Sequence, residues 1–114
     1  MPIIYKILPA AMWAKAMQDG VFRGSDVDLR DGFIHFSSAS QAVETAAKHF
    51  SGQRDLILLY VDTAPLDAAL KWEPSRGGAL FPHLYGDLAL DAVTKAVPLP
   101  LGPDGAHQFP TLTD

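Results

Sequence analysis

Ile3, Ile4, Tyr5, Ile7 and Leu8 form an apolar, β-prone run interrupted only by Lys6, and Pro9 then opens a different pattern. Proline suits a first helical turn, where its missing N–H would have had no partner. From Ala10 to Gln18 the large apolar residues Trp13 and Met17 fall four apart and so share one helical face. Gly20 supplies a stop, because glycine accepts the left-handed conformation common just past a helix C-terminus. Gly24 to Gly32 is polar and reads as an exposed loop. Phe33-Ile34-His35-Phe36 predicts a short strand in which alternation turns His35 away from both apolar neighbours. Ser38 followed three residues later by Gln41 is spaced as a capping box. The helix it starts sets Val43, Ala46, Ala47 and Phe50 on one face before Gly52 closes it.

Leu56 to Val61 is apolar at every position, which predicts a central strand covered on both faces. Beyond Pro65 the pattern weakens. Leu70-Lys71-Trp72-Glu73 reads as a short strand, Pro74 to Gly78 as a turn or loop, and Leu84-Tyr85 and Leu88 to Val97 as further short strands. Pro98, Pro100, Pro103 and Pro110 leave the last segment irregular, on the surface or frayed. The order of elements predicts an α+β domain with two helices against a mixed, mostly antiparallel sheet. One domain spans 1–114, with its core at about 3–99 and a Pro-rich tail at 100–114.

Composition narrows the function classes. A hydrophobic fraction of 48% with 19% charged residues suits a packed core and excludes a disordered chain. The absence of cysteine excludes disulfides, thiolate metal sites and a cysteine nucleophile, and suits a reducing compartment. No basic stretch leads into a long apolar one at the N-terminus, and no apolar run approaches the ~20 residues of a membrane span. The expectation is a cytoplasmic protein with no membrane partner. A net charge of −4 without a lysine or arginine cluster argues against a broad nucleic-acid surface. A small anion held by one or two cations is compatible with it, and the sequence identifies no protein partner.

Several positions carry chemistry. His35 can donate, accept and change charge near neutral pH, which suits catalysis or binding; the plainer alternative is a half-buried histidine bonded to a backbone carbonyl. Ser37, Ser38 and Ser40 stand where a strand meets a helix start, positioned to cap the helix, to contact an anion, or both. Lys6 lies either on an exposed sheet face or in a cleft, where it would hold a phosphate or carboxylate. Glu73 and His83 flank a polar loop containing Arg76, Gly77 and Gly78, the kind of segment on which functional residues concentrate. Asp26, Asp28 and Asp31 are spaced somewhat like a calcium loop but lack its glycine and distal glutamate, so no metal site is assigned. Nucleotide-binding glycine loops, HExxH and GxSxG are absent.

Asp31-Gly32-Phe33-Ile34-His35-Phe36-Ser37-Ser38 with Gln41, the opening Ile4-Tyr5-Lys6-Ile7, Trp13, Gly20 and the later Phe81-Pro82-His83-Leu84-Tyr85-Gly86 together resemble a bacterial family, domain of unknown function 952. The likeness covers roughly residues 3 to 99 and brings no established activity. That pattern in turn resembles, more distantly, the ADP-ribosyltransferase fold, which includes RNA 2′-phosphotransferases and poly(ADP-ribose) polymerases. Lys6 occupies the place of a histidine or arginine that contacts the nicotinamide ribose in that group. Ile34-His35-Phe36-Ser37 resembles its second motif, and Phe81-Pro82-His83 stands where many members carry a glutamate.

The resemblance implies a nucleotide ligand, with NAD as a possible substrate and no certain cofactor. It also implies a possible ADP-ribosyl- or phospho-transferase. Lys6, Ser37, Ser38 and Tyr85 would bind the ligand, and His35, Glu73 and His83 would serve catalysis. Two alternatives stand beside it: a non-catalytic accessory domain that binds a metabolite or protein, and a small hydrolase working through His35 and His83.

Overall fold

The opening apolar run forms β1 (Ile3–Pro9), and Pro9 leads directly into α1 (Ala10–Asp19). Then follow β2 (Val21–Phe22), α2 (Asp26–Asp31), β3 (Ile34–His35), α3 (Ala39–His49), β4 (Leu56–Asp62), β5 (Leu70–Pro74), β6 (Leu80–Leu84), β7 (Leu88–Ala89) and β8 (Val93–Leu99). The computed structural model describes residues 3–113, apart from the side chain of Arg76. Met1, Pro2, Asp114 and that side chain, part of the expected polar loop, lie outside the described residues.

β4 is the centre of a three-stranded sheet, β1-β4-β8, and its burial follows the expectation of cover on both faces. Ile4, Leu8, Leu59 and Val61 face one core, which α1 closes with Ala16. Tyr5, Ile7, Leu56, Leu58 and Leu99 face a second, closed by Ala42 and Ala46 of α3. A second sheet, β3-β6-β5, lies beside the first, and β2 pairs with β7. The two larger sheets meet at one point, where Tyr5 and Ser37 exchange backbone hydrogen bonds of 2.8 Å each way.

Four expectations need correction. Every pairing among the described residues is antiparallel, and the strands divide into three small sheets, so the expected mixed single sheet is absent. The expected loop 24–32 contains α2, a third helix, because Ser25 caps it and Gly32 ends it in the left-handed conformation. The buried helix faces match those expected only in part: Trp13, Ala46 and Phe50 pack inward as expected, but other expected positions do not. Ala16 is buried in α1 while Met17 is 54% exposed, and Ala42 and Ala46 are buried in α3 while Val43 is 55% exposed.

The tail is the fourth. β8 continues through Pro98 to Leu99, which an edge strand permits because proline's missing N–H faces outward. Beyond it Phe109 and Leu112 pack on the second core, and the Tyr5 hydroxyl donates to Thr113 O at 2.5 Å while accepting from Thr113 N at 3.1 Å.

Candidate functional site

Lys6 shares a face of β1 with Ile4 and Leu8 and is only 7% exposed. A charge so placed is stable only with a partner. Asp28, 2% exposed, supplies both oxygens, at 2.9 and 3.1 Å from Lys6 Nζ. Burial pulls the Lys6 pKa below its usual value, and the facing Asp28 carboxylate opposes that fall.

Local sequence puts Asp28 there. It is the third residue of α2, and its Oδ2 accepts from the Ser25 N–H at 2.8 Å while Ser25 Oγ accepts from the Asp28 N–H at 3.4 Å. Gly24 permits the approach, since a Cβ at that position would lie 2.8 Å from the Asp28 Cβ. Asp28 Oδ1 also accepts from the His35 N–H at 3.1 Å and lies 2.6 Å from His35 Nδ1. The carboxylate thus gathers both Lys6 bonds, one Ser25 bond and two His35 bonds. Burial would push its pKa up, but the His35 bond, the Lys6 charge and the Ser25 N–H together hold it far below the usual carboxylate range.

A carboxylate so held accepts only, so His35 Nδ1 carries a proton and donates. Its Nε2 lies 3.0 Å from Asp31 Oδ2. The two contacts are favourable together only when the ring is the imidazolium. Ile34 and Phe36 are buried on the opposite side, as alternation predicts.

His83 pairs with His35 in register on β6. Its ring stacks on Phe33 at 4.1 Å between centroids and meets the His35 ring edge-on at 5.4 Å. His83 Nδ1 lies 2.9 Å from Glu73 Oε1, an oxygen that also accepts from the Tyr85 hydroxyl at 2.7 Å. Hydrogen bonds from Tyr85 and His83 lower the Glu73 pKa, and the same carboxylate raises that of Tyr85. Whenever the His83 ring is neutral, Glu73 favours the Nδ1–H tautomer, which leaves the Nε2 lone pair unused by these bonds.

A cavity of about 660 Å³ opens where the two sheets diverge. Lys6, His35, Ser37 and His83 all border it, with Phe36 and Phe81 among its apolar lining. Ser37 is buried, its Oγ 2.9 Å from Thr45 Oγ1. Other positions singled out by sequence stand outside. Glu73 reaches the cavity only through His83, and Tyr85 is 42% exposed and engaged with Glu73. Ser38 begins α3, its N–H donating to Gln41 Oε1 at 3.0 Å and its hydroxyl 3.2 Å from that of Ser40.

The strand edge is a further feature. Tyr5 turns its N–H and C=O toward Ser37, so alternation turns those of Ile7 the same way, past the end of the bridge and toward the cavity.

Sequence reasoning named Asp28 only within a rejected calcium-loop spacing and missed its pairing with Lys6. Two signals pointed to it: Ser25 three residues before it, ahead of Gly32, and a lysine within an apolar strand that requires a buried counter-charge.

Comparison with known proteins gives concordant results. The sequence profile of the family described as "Protein of unknown function (DUF952)" matches residues 7–96. The crystal structure of protein CC0527 from Caulobacter crescentus is 56% identical, covers 93% of each chain and superposes with a TM-score of 0.89. The solution NMR structure of the same protein is also 56% identical, covers 95% of this chain and 93% of the other, and gives a TM-score of 0.86. No curated protein matches the chain. No described helix is long and apolar enough to cross a membrane.

Proposed function

The chain belongs to the family of proteins of unknown function designated DUF952, and from its geometry we propose that it binds a nucleotide of the NAD or ADP-ribose type in the cleft between the two sheets. The observation that carries this reading is the 660 Å³ cavity bordered by Lys6, His35, Ser37 and His83. Its volume falls within the range of small-molecule and cofactor sites, as does its mix of apolar walls and few polar groups. The outward N–H and C=O of Ile7 match the acceptor and donor of a carboxamide, the group that distinguishes nicotinamide. Phe36 and Phe81 offer apolar surface for a ring. The Lys6 charge is already balanced by Asp28, so Lys6 would meet a ribose or phosphate oxygen with its remaining N–H and not as a free cation.

Glu73 and His83 support a second step. A carboxylate that orients a histidine, leaving Nε2 for a substrate proton, is the arrangement of a general base. It favours turnover of the bound nucleotide, by transfer or hydrolysis, over a purely accessory role.

Calorimetric titration of NAD, ADP-ribose and nicotinamide into wild type and His83→Gln, with thermal melts of both, tests the reading. Binding by wild type, weakened in the variant without a lower melting temperature, is the expected result. Release of nicotinamide from NAD by wild type and not by the variant would add catalysis. No binding of any of the three by wild type would defeat the proposal.

A further inference from the structure

α2 holds to the rest of the molecule in an unusual way. Its only buried residue is Asp28, while the apolar side chains Val27 and Leu29 are 48% and 64% exposed. Hydrophobic packing therefore contributes little to its docking. What fastens it are polar bonds from two of its carboxylates: Asp28 to Lys6 of β1 and His35 of β3, and Asp31 to His35. The same segment, from Ser25 to Asp31, borders the 660 Å³ cavity. A wall held mainly by polar bonds is one that a change of protonation can loosen.

His35 is the group whose protonation matters. It lies between two α2 carboxylates, Asp28 at 2.6 Å from Nδ1 and Asp31 at 3.0 Å from Nε2. Around it also stand Lys6 on Asp28, Arg30 on Asp31 at 3.1 Å, and the ring of His83, with Glu73 and Tyr85 behind that ring. Loss of the imidazolium proton leaves Nδ1–H on Asp28 and turns a lone pair of Nε2 against the Asp31 carboxylate. The ion pair with Asp31 becomes a repulsion.

We infer that α2 is a hinged wall of the cavity, latched by protonated His35 and loosened when His35 becomes neutral. The latch is a property of the unliganded chain; that it regulates ligand entry rests on the nucleotide reading above.

Amide hydrogen exchange without ligand tests the latch. The Leu29 and Gly32 amides report on it, since they close α2 by bonding Ser25 O and Asp28 O. Each rate is converted to a protection factor to remove the intrinsic effect of pH, and the His35 and His83 rings are titrated by NMR in the same samples. As His35 loses its proton, protection at Leu29 and Gly32 should fall about three- to tenfold, the worth of a partly exposed charged hydrogen bond, while protection in β4 stays constant.

Asp31→Asn is the decisive variant. Its side-chain amide donates to neutral Nε2, so α2 protection should become independent of the His35 titration. Constant α2 protection in wild type would overturn the latch, as would a pH dependence that survives in Asp31→Asn or follows His83 instead. Failure of NAD and ADP-ribose to bind would defeat the nucleotide reading alone, because the exchange experiment contains no ligand.

Discussion

Lys6→Met removes one charge from the buried pair and keeps most of the side-chain volume. The structure sets the magnitude. Lys6 and Asp28 are 7% and 2% exposed, and the ammonium spans both carboxylate oxygens, at 2.9 and 3.1 Å. Breaking such a pair from one side costs roughly 3–5 kcal/mol, mostly because the remaining charge is left without its partner in a poorly solvated place. Here Asp28 keeps the Ser25 N–H, the His35 N–H and the His35 ring, so the expected loss lies at the lower end, about 3 kcal/mol. For a domain of this length that corresponds to a fall in melting temperature of roughly 10 °C. Urea unfolding at neutral pH measures it, with Leu58→Ala as the reference. Leu58 is fully buried, and truncating it should cost about 2–5 kcal/mol, so the two midpoints should shift comparably. A double-mutant cycle with Asp28→Asn should give a coupling of about 1–3 kcal/mol. A Lys6→Met loss below about 1 kcal/mol, the value of a solvated pair, would refute the reasoning.

Acid should act on the same cluster. Asp28 has its pKa held below its ordinary 3.8 in the folded chain, so it contributes stability that is fully present above that value and lost as pH falls toward the folded pKa. Urea midpoints of wild type should drop below about pH 4, less steeply in Asp28→Asn, and equal slopes would remove Asp28 from the account. Tyr85→Phe deletes the hydrogen bond that does most to lower the Glu73 pKa, so carboxyl NMR should show that pKa rising, and an unchanged titration would contradict the geometry. Tyr5→Phe releases Thr113 from both hydroxyl bonds; it should cost about 1 kcal/mol and speed exchange at the Thr113 amide, and an unchanged amide would mean that the tail is held otherwise.

The legible parts of the sequence were those that local physics determines alone. The apolar run Leu56 to Val61 could only be a central strand, and the Ser38–Gln41 spacing marked the start of α3. Alternation placed His35 opposite Ile34 and Phe36. The misread parts depend on contacts between distant segments. α2 has no apolar stripe, because its buried side chain is Asp28, so a search by hydrophobic period reads it as loop. Similarly, Trp13 and Met17 do share a helical face at i and i+4, but only Trp13 packs on the core, where Ala16 is buried, while Met17 is 54% exposed. Lys6, His35, Ser37 and His83 were each picked from local context, yet nothing local says that β1, β3 and β6 bring them to one cavity. The division of the strands is likewise invisible in sequence, where nothing local shows that the two larger sheets are joined by a Tyr5–Ser37 bridge.

Lysine at position 6 has a physical explanation in the structure. The Asp28 carboxylate belongs to a helix beside the sheet, and the Lys6 ammonium meets both its oxygens from the end of a four-carbon stem. A histidine at that position is shorter and would present one ring nitrogen where Lys6 presents two bonds. Lys6 and Asp28 therefore form a unit, and a chain that keeps one without the other leaves a charge buried alone. That unit also distributes the work of the cleft. Asp28 has its oxygens committed to Lys6, Ser25 and His35, and His35 has both ring nitrogens committed to α2. On the reading proposed above, the groups left for a ligand would be the remaining Lys6 N–H, the edge of Ile7 and His83 Nε2, and all three stand on β1 and β6, strands locked into sheets. If the proposed ligand binds there, recognition would fall to the rigid side of the cavity and access to the side held mainly by polar bonds, so a substitution on α2 should alter entry of a ligand more than its affinity for the open site.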